Sequence, residues 1–203
     1  MNVIVAWVNF ICMNIAGTMM IYTYIISLNP ATREETRGEI AWKECARYRW
    51  YSNFCEWILI ANIILWIWFP IPILNWKVHT NILVGIIIAI VIAVPCSLVL
   101  LKGTLDAGAE TFGPLKEGTV LNKGIYKYIR HPQTIGEMPL FIAGSFLINS
   151  LFLVIWWSVY IVLYIIIIIP FEEKELIKRF GNAYIEYKKI TGAFLPKIRK
   201  KKS

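Results

Sequence analysis

Residues 134–169 read T-I-G-E-M-P-L-F-I-A-G-S-F-L-I-N-S-L-F-L-V-I-W-W-S-V-Y-I-V-L-Y-I-I-I-I-I, and Glu137 is their single charge. Asn149 and Ser150 divide the run into a short apolar piece, 134–148, and a longer one, 151–169, which together read as a helical hairpin. Fifteen residues of helix rise only about 23 Å, less than the roughly 30 Å of a hydrocarbon core. The first arm is therefore expected to start below the membrane surface. The β-branched run Ile165 to Ile169 would suggest a strand in water. In lipid a lone strand leaves its backbone polar groups unsatisfied, so this run is expected to be helical.

Outward from the hairpin the same reading repeats. The first charge in the chain is Arg33, so residues 3–28 form a first span, and no basic leader or small-residue cleavage site marks it for removal. A polar stretch, 29–53, mixes Arg33, Arg37, Lys43, Arg47 and Arg49 with Trp42, Tyr48, Trp50 and Tyr51, a composition suited to a headgroup boundary. A second span is expected over 54–74, closed by F-P-I-P at 69–72, and a third over 82–101 with Pro95 as a kink. A polar segment, 102–132, precedes the hairpin. Pro170 is expected to end the fifth span. Beyond it Leu176, Ile177, Phe180, Tyr184 and Tyr187 recur at helical spacing opposite lysines and arginines, as in an amphipathic helix lying on the membrane, before a basic tail at 197–202.

Composition agrees with this pattern. Hydrophobic residues make up 58% of the 203 and charged residues 17%, and the mean hydropathy is +0.59. A soluble globule carries about 25% charge, and disorder requires far fewer apolar residues. The four cysteines form no C-x-x-C pair and have only two histidines for company, which suggests neither a zinc site nor a disulfide scaffold. The net charge of +8 flanks apolar runs instead of forming one face, so nucleic acid is not an expected partner. The expected fold is an all-α membrane protein of about five transmembrane helices, including the C-terminal hairpin, plus a cytoplasmic amphipathic helix. Its two parts are 1–101, three helices with a basic loop, and 102–203. Of the 21 lysines and arginines only Lys77 falls in the loop between spans two and three. The positive-inside rule then puts the N-terminus outside the cell membrane and the other polar segments in the cytoplasm.

Two polar stretches flank the hairpin: K-E-G-T-V-L-N-K-G-I-Y-K-Y-I-R-H-P-Q-T at 116–134 and P-F-E-E-K-E-L-I-K-R-F-G-N-A-Y-I-E-Y-K-K at 170–189. Gly118 and Gly124 permit tight turns, and Pro132 disfavours helix at His131, so irregular backbone is expected there. At membrane depth such backbone lines a cavity or is buried in protein, and a pocket follows. The plainer alternative has Arg130 anchoring a helix at the headgroups and Glu172 and Glu173 balancing nearby lysines.

The order G-x-Y-x-x-x-R-H-P (Gly124, Tyr126, Arg130 to Pro132), an apolar hairpin, E-E, then F-G-x-x-Y-x-x-Y-K (Phe180, Gly181, Tyr184, Tyr187, Lys188) resembles the isoprenylcysteine carboxyl methyltransferases. The phospholipid N-methyltransferases share much of it. The resemblance covers residues 102–196. It implies an integral-membrane methyltransferase that binds S-adenosylmethionine and takes a small-molecule or lipid-like methyl acceptor from the bilayer. By matching position it implies cofactor contacts from Val120, Leu121, Gly124, Tyr126, His131, Pro132, Gln133 and Thr134, with Glu172 or Glu173 accepting hydrogen bonds from a cationic or hydroxyl part of the cofactor.

Two departures bear on the acceptor. Family members usually read R-H-P-x-Y, where this chain has Thr134. The prenylcysteine enzymes carry an arginine just before the acidic run, suited to a substrate carboxylate, where this chain reads Ile165 to Ile169. Arg130 is then the candidate replacement cation. Glu137, a carboxylate inside the short arm, costs roughly 2.5–3.5 kcal/mol to insert and should face a polar cavity. It is the candidate general base for an amine, thiol or hydroxyl acceptor, the plainer alternative being a carboxylate that sits at the interface and snorkels into the headgroups with a structural partner. Two readings compete with this one. A reductase of the related sterol-reductase architecture would use NADPH, although no G-x-G-x-x-G strand-turn-helix is present, and a non-enzymatic anchor or transporter would need no cofactor pocket.

Overall fold

The computed structural model describes residues 2–116, 120 and 122–197, so the expectations for Gly118, Leu121 and most of the basic tail lie outside the described residues. Seven α-helices occur among them: α1 (Asn2–Ser27), α2 (Pro30–Arg37), α3 (Ile40–Leu65), α4 (Ile82–Ala107), α5 (Pro132–Leu147), α6 (Leu151–Phe180) and α7 (Asn182–Ile190). Their sole extended pairing is an isolated parallel bridge between Ile129 and Gly192. The protein is an all-α, multi-pass membrane protein. Three stretches, Val3–Ser27, Ile82–Thr111 and Leu151–Phe180, are long and apolar enough to cross a bilayer.

The basic stretch after the first span is not a loop. Residues 40–53, read as headgroup-level connection, are the first half of α3, which ends at Leu65 instead of running to 74. No glycine or proline occurs between Gly38 and Pro70, so nothing opposes helix there, and Pro70 and Pro72 prevent its resumption. Pro170 does not end the last span either, for α6 passes through it to Phe180. A proline inside a long helix forfeits one backbone bond and bends the rod. The true stop is Gly181, whose φ of +55° suits glycine and turns the chain into α7. The acidic pair therefore rides on the last span itself, one turn beyond Pro170. Tyr184 and Tyr187 of α7 are buried against protein rather than laid on lipid.

Apolar faces gain nothing by leaving lipid for one another, so packing and hydrogen bonds must join the helices. Asn9 donates to the carbonyl of Asn62 at 3.0 Å, joining α1 to α3. Tyr160 donates to the carbonyl of Gly17 at 2.9 Å, joining α6 to α1. Phe141 of α5 stacks on the fully buried Trp157 of α6 with ring centres 4.3 Å apart. Where α5 meets α4, a Cβ on Gly136 would stand 2.5 Å from the backbone nitrogen of Leu100, so only glycine permits this approach.

At the polar end α6 also organises α2. Asn29 makes no side-chain cap. Instead the Glu175 carboxylate accepts from the backbone N–H groups of Ala31 and Thr32 at 2.5 and 3.1 Å and from the Thr32 hydroxyl at 2.7 Å. A capping acceptor of this kind contributes about 1 kcal/mol. Lys178 adds an ion pair to Glu35 at 2.7 Å.

The α4–α5 contact yields a paired test. Gly136→Leu should lower the Tm of the detergent-solubilised protein by roughly 5 °C or more, because overpacking costs about 1–3 kcal/mol. Gly144→Leu, on the same helix with open space around its Cβ position, should leave Tm within about 2 °C in the same thermal-shift assay.

Candidate functional site

Pro132 opens α5 at its first position, where a missing N–H costs nothing. The residue before it cannot easily be helical, and His131 sits at φ −122°, ψ 59°. The backbone at 130–131 is instead held extended: the Arg130 N–H donates to the Gly192 carbonyl at 2.9 Å and the His131 N–H to the Ala193 carbonyl at 3.1 Å. This tie to the chain emerging from α7 points both side chains at α6.

There the acidic pair divides its work. Glu173 takes Arg130 Nε and Nη2 on Oε1 at 2.9 and 2.6 Å and Lys188 Nζ on Oε2 at 2.5 Å. The His131 ring lies between the two carboxylates, with Nδ1 3.2 Å from Glu172 Oε2 and Nε2 3.3 Å from Glu173 Oε1. Burial alone would depress the imidazole, but the carboxylates of Glu172 and Glu173 outweigh it and push His131 up to about 9, so the ring is an imidazolium at neutral pH. Arg130 Nη1 also donates to the carbonyls of Thr191 and Lys188, capping the end of α7. Glu173 thus stands behind the site with its oxygens occupied, whereas Glu172 faces a cavity.

That cavity opens on one side and is lined by residues of α1, α3, α5, α6 and α7. Of the residues predicted from sequence, Val120, Tyr126, Arg130, His131, Pro132, Gln133, Thr134, Glu137 and Glu172 line it. Gln133 is oriented by donating to the Thr111 hydroxyl at 2.9 Å. Gly124 does not line the cavity. It makes a left-handed turn at φ +55° that lets the Ile125 N–H reach the Asp106 carboxylate at 2.7 Å. Leu121 lies outside the described residues.

Several lining residues had no site role assigned from the sequence. Tyr184 and Tyr187 come from α7, and the Tyr187 hydroxyl donates to the Tyr126 carbonyl at 2.6 Å. Tyr184 is 3% exposed, and its hydroxyl has no hydrogen-bond partner among the described residues. Burial and the two glutamates push this phenol far up, so it stays a neutral donor. Arg179 lines the cavity with its charge placed on Glu110 at 2.9 Å. Tyr24 and Ser27 come from α1 and Arg49 from α3, all from the half of the chain without motifs. Arg49 Nε donates to the Ser27 hydroxyl at 2.9 Å, and its guanidinium carbon lies 4.4 Å from the Tyr24 ring centre. Glu137 lines the same cavity, with Glu56 of α3 facing it and Arg49 close by. One signal for Arg49 was present: on a helix, buried Ala41, Cys45 and Ser52 share a stripe with it.

The phospholipid methyltransferase family model matches residues 81–183, from the entry to α4 through the start of α7. Methanethiol S-methyltransferase of Pseudomonas deceptionensis is 27% identical over 160 residues, covering 71% of this chain and 59% of that protein. Methanethiol S-methyltransferase 2 of Bradyrhizobium diazoefficiens is 25% identical over 179 residues, covering 74% and 64%. The enzyme of that name from Crocosphaera subtropica is 28% identical, covering 70% and 59%. This chain therefore spans roughly three fifths of the length of these relatives. No solved structure matches it. A family match over the segment that carries both halves of the cavity's charged wall leads to one conclusion: this chain belongs to the phospholipid methyltransferase family.

Proposed function

We propose that the protein is an S-adenosylmethionine-dependent methyltransferase whose acceptor is a small thiol. The observation that carries the reading is the convergence on one cavity of R-H-P from α5, Glu172 from α6 and the unpartnered Tyr184 hydroxyl from α7. These residues fit the cofactor. A carboxylate suits a molecule bearing a positive sulfonium and a positive amino group, and a buried lone hydroxyl suits its ribose or carboxylate. Bound there, S-adenosylmethionine supplies a methyl group activated by its sulfonium charge.

The chain's own part is to hold, orient and exclude water. Arg130, Lys188 and His131 fix Glu173, and this cluster keeps α6 and α7 in register, so that Glu172 and Tyr184 hold their places in the wall. Positioning of this kind can supply most of the acceleration of a displacement that dissipates charge. Glu137, which lines the same cavity, takes the acceptor's proton. The small-thiol assignment draws on the activity named for the relatives and on the absence of a cation before Pro170, where a prenylcysteine carboxylate would need one. With the N-terminus outside, the cavity mouth faces the cytoplasm, where the cofactor is made.

Titration calorimetry with S-adenosylhomocysteine should show binding and titration with NADPH none; the reverse would favour a reductase. Glu172→Gln should weaken S-adenosylhomocysteine about tenfold or more, the worth of a charge-assisted hydrogen bond. Glu137→Gln should instead cut thiol turnover by about 10²-fold or more while cofactor affinity stays nearly constant. Unchanged affinity in the first variant would remove Glu172 from the cofactor site.

The raised His131 sets a pH dependence. A folded value near 9 against an ordinary 6.5 contributes stability fully present below about 6.5 and lost as pH rises through 9, on the order of 3 kcal/mol. Wild-type Tm should therefore fall between pH 7 and 9.5, and His131→Gln should flatten that fall. Orientation is checked by placing single cysteines at Lys77 and Lys197 in a cysteine-free background. An impermeant maleimide should label the first in intact cells and the second only after lysis.

A further inference from the structure

Four cations line the cavity, and three are already engaged with carboxylates. Arg130 is paired with Glu173, His131 with both glutamates, and Arg179 with Glu110. Arg49 alone among the described lining cations has no ion pair within 4 Å. Its Nε is spent on Ser27 and its face lies on Tyr24, and no partner occurs among the described residues for its two terminal nitrogens. A half-buried guanidinium that lines a cavity and has no protein partner for its terminal nitrogens among the described residues is suited to an anion. Glu137 and Glu172 lie within its electrostatic reach, but neither forms an ion pair with it.

Its position separates it from the family's shared apparatus. The family model begins at residue 81, whereas Tyr24, Ser27 and Arg49 all precede that point. Glu172 and Tyr184, placed above toward the cofactor, belong to α6 and α7 on the wall built by the charged cluster. Arg49 lines the cavity together with Tyr24, Tyr164 and Glu137, residues the charged cluster does not engage. The site that remains for an anion there is an acceptor's.

Resting on the thiol reading above, we propose that Arg49, backed by Ser27 and Tyr24, is the binding site for the acceptor's sulfur as a thiolate. The acceptor's S–H proton passes to the Glu137 carboxylate, and Arg49 holds the anion so formed. The new S–CH3 bond takes the sulfur's lone pair as the methyl group's bond to its donor sulfur breaks, and that electron pair neutralises the donor's positive charge. The product thioether is neutral, has no claim on Arg49, and leaves toward the bilayer. The acceptor class is therefore small thiols that react as anions. Neutral amines and alcohols would leave the guanidinium unanswered.

The test uses the full-length protein in lipid nanodiscs, S-adenosylmethionine as donor, and thiols spanning the acidities of an alkanethiol and thiophenol. Arg49→Gln should lower kcat/KM for the alkanethiol by about 30-fold or more, with the S-adenosylhomocysteine Kd within about twofold of wild type. That retained affinity also certifies the fold. The pH at which kcat/KM rises should move upward, read against Tyr24, Cys45, Glu56, Glu137, Tyr164 and Glu172, the titratable groups facing Arg49 from α1, α3, α5 and α6. Arg49→Lys should recover part of the loss, and thiophenol, already ionised in solution, should be impaired much less than the alkanethiol.

An equal loss for both thiols with an unmoved pH profile, or a loss of S-adenosylhomocysteine affinity of tenfold or more, would overturn the proposal, the latter by assigning Arg49 to the cofactor. Wild-type turnover of thiols with Arg49→Gln unaffected would sink this inference and leave the thiol reading intact. Cofactor binding by wild type with no methylation of any thiol would sink both.

Discussion

Two oxygens of Glu173 receive Arg130, Lys188 and His131, and through those three side chains the carboxylate joins the R-H-P stretch, α6 and α7 at one point. Moving any of these charges alone out of water would cost several kcal/mol, and an ion pair repays that only when its remaining donors are satisfied as well. Here they are: Arg130 also caps α7 through two carbonyls, and the imidazole spends its second nitrogen on Glu172. The cluster counts three cations against two carboxylates, so it is neither an uncompensated acid nor a simple pair. Removing Glu173 would leave three like charges facing one another, a larger loss than that of a single bond. Glu172 gains its orientation from this arrangement while keeping its open side on the cavity.

Within the bilayer the logic differs, because helix association there draws on close fit and a few buried polar bonds. Gly136 against Leu100 brings α5 onto α4, and Asn9 and Tyr160 fasten α1 to its neighbours. These contacts fix the short α5, whose first turn carries His131, Gln133 and Thr134 into the cavity. A helix too short to cross the membrane by itself is thus held at the depth its residues require. The apolar packing and the charged cluster meet at Pro132.

The apolar spans were legible because length and hydropathy decide them: α1 and α5 begin and end within two residues of the expected bounds. The misreadings had one cause, the assumption that charge or proline stops a helix at a membrane edge. In residues 40–53 charge came without a breaker, so the helix continued; in α6 the proline came without a glycine, and the helix continued again. The family and the wall around R-H-P were legible because their residues lie in two short segments with recognisable spacing. Tyr24 and Ser27 were not, and Arg49 was marked only by the stripe it shares with Ala41, Cys45 and Ser52, since their cavity neighbours on α5 and α6 lie far along the chain. Only the fold makes them neighbours of Glu137.

That division has a physical consequence for how such a chain can vary. On the function proposed above, the wall built by α5, α6 and α7 would match the cofactor, and its residues constrain one another through Glu173. The lining residues from α1 and α3, which the proposal assigns to the acceptor, are tied to one another by a hydroxyl contact and an aromatic face instead of a shared buried charge. Exchanging a residue there disturbs fewer partners. The Arg49 guanidinium lies over Tyr24 and its Nε is bonded to Ser27, so only the outer nitrogens are left for a ligand. A lysine on the same stripe would carry one compact ammonium and no face to lay on the ring, which would bind an anion less firmly and leave more of the charge to be solvated. The choice of arginine at this position is therefore better explained by a planar group held on one side and left open on the other than by the positive-inside asymmetry alone.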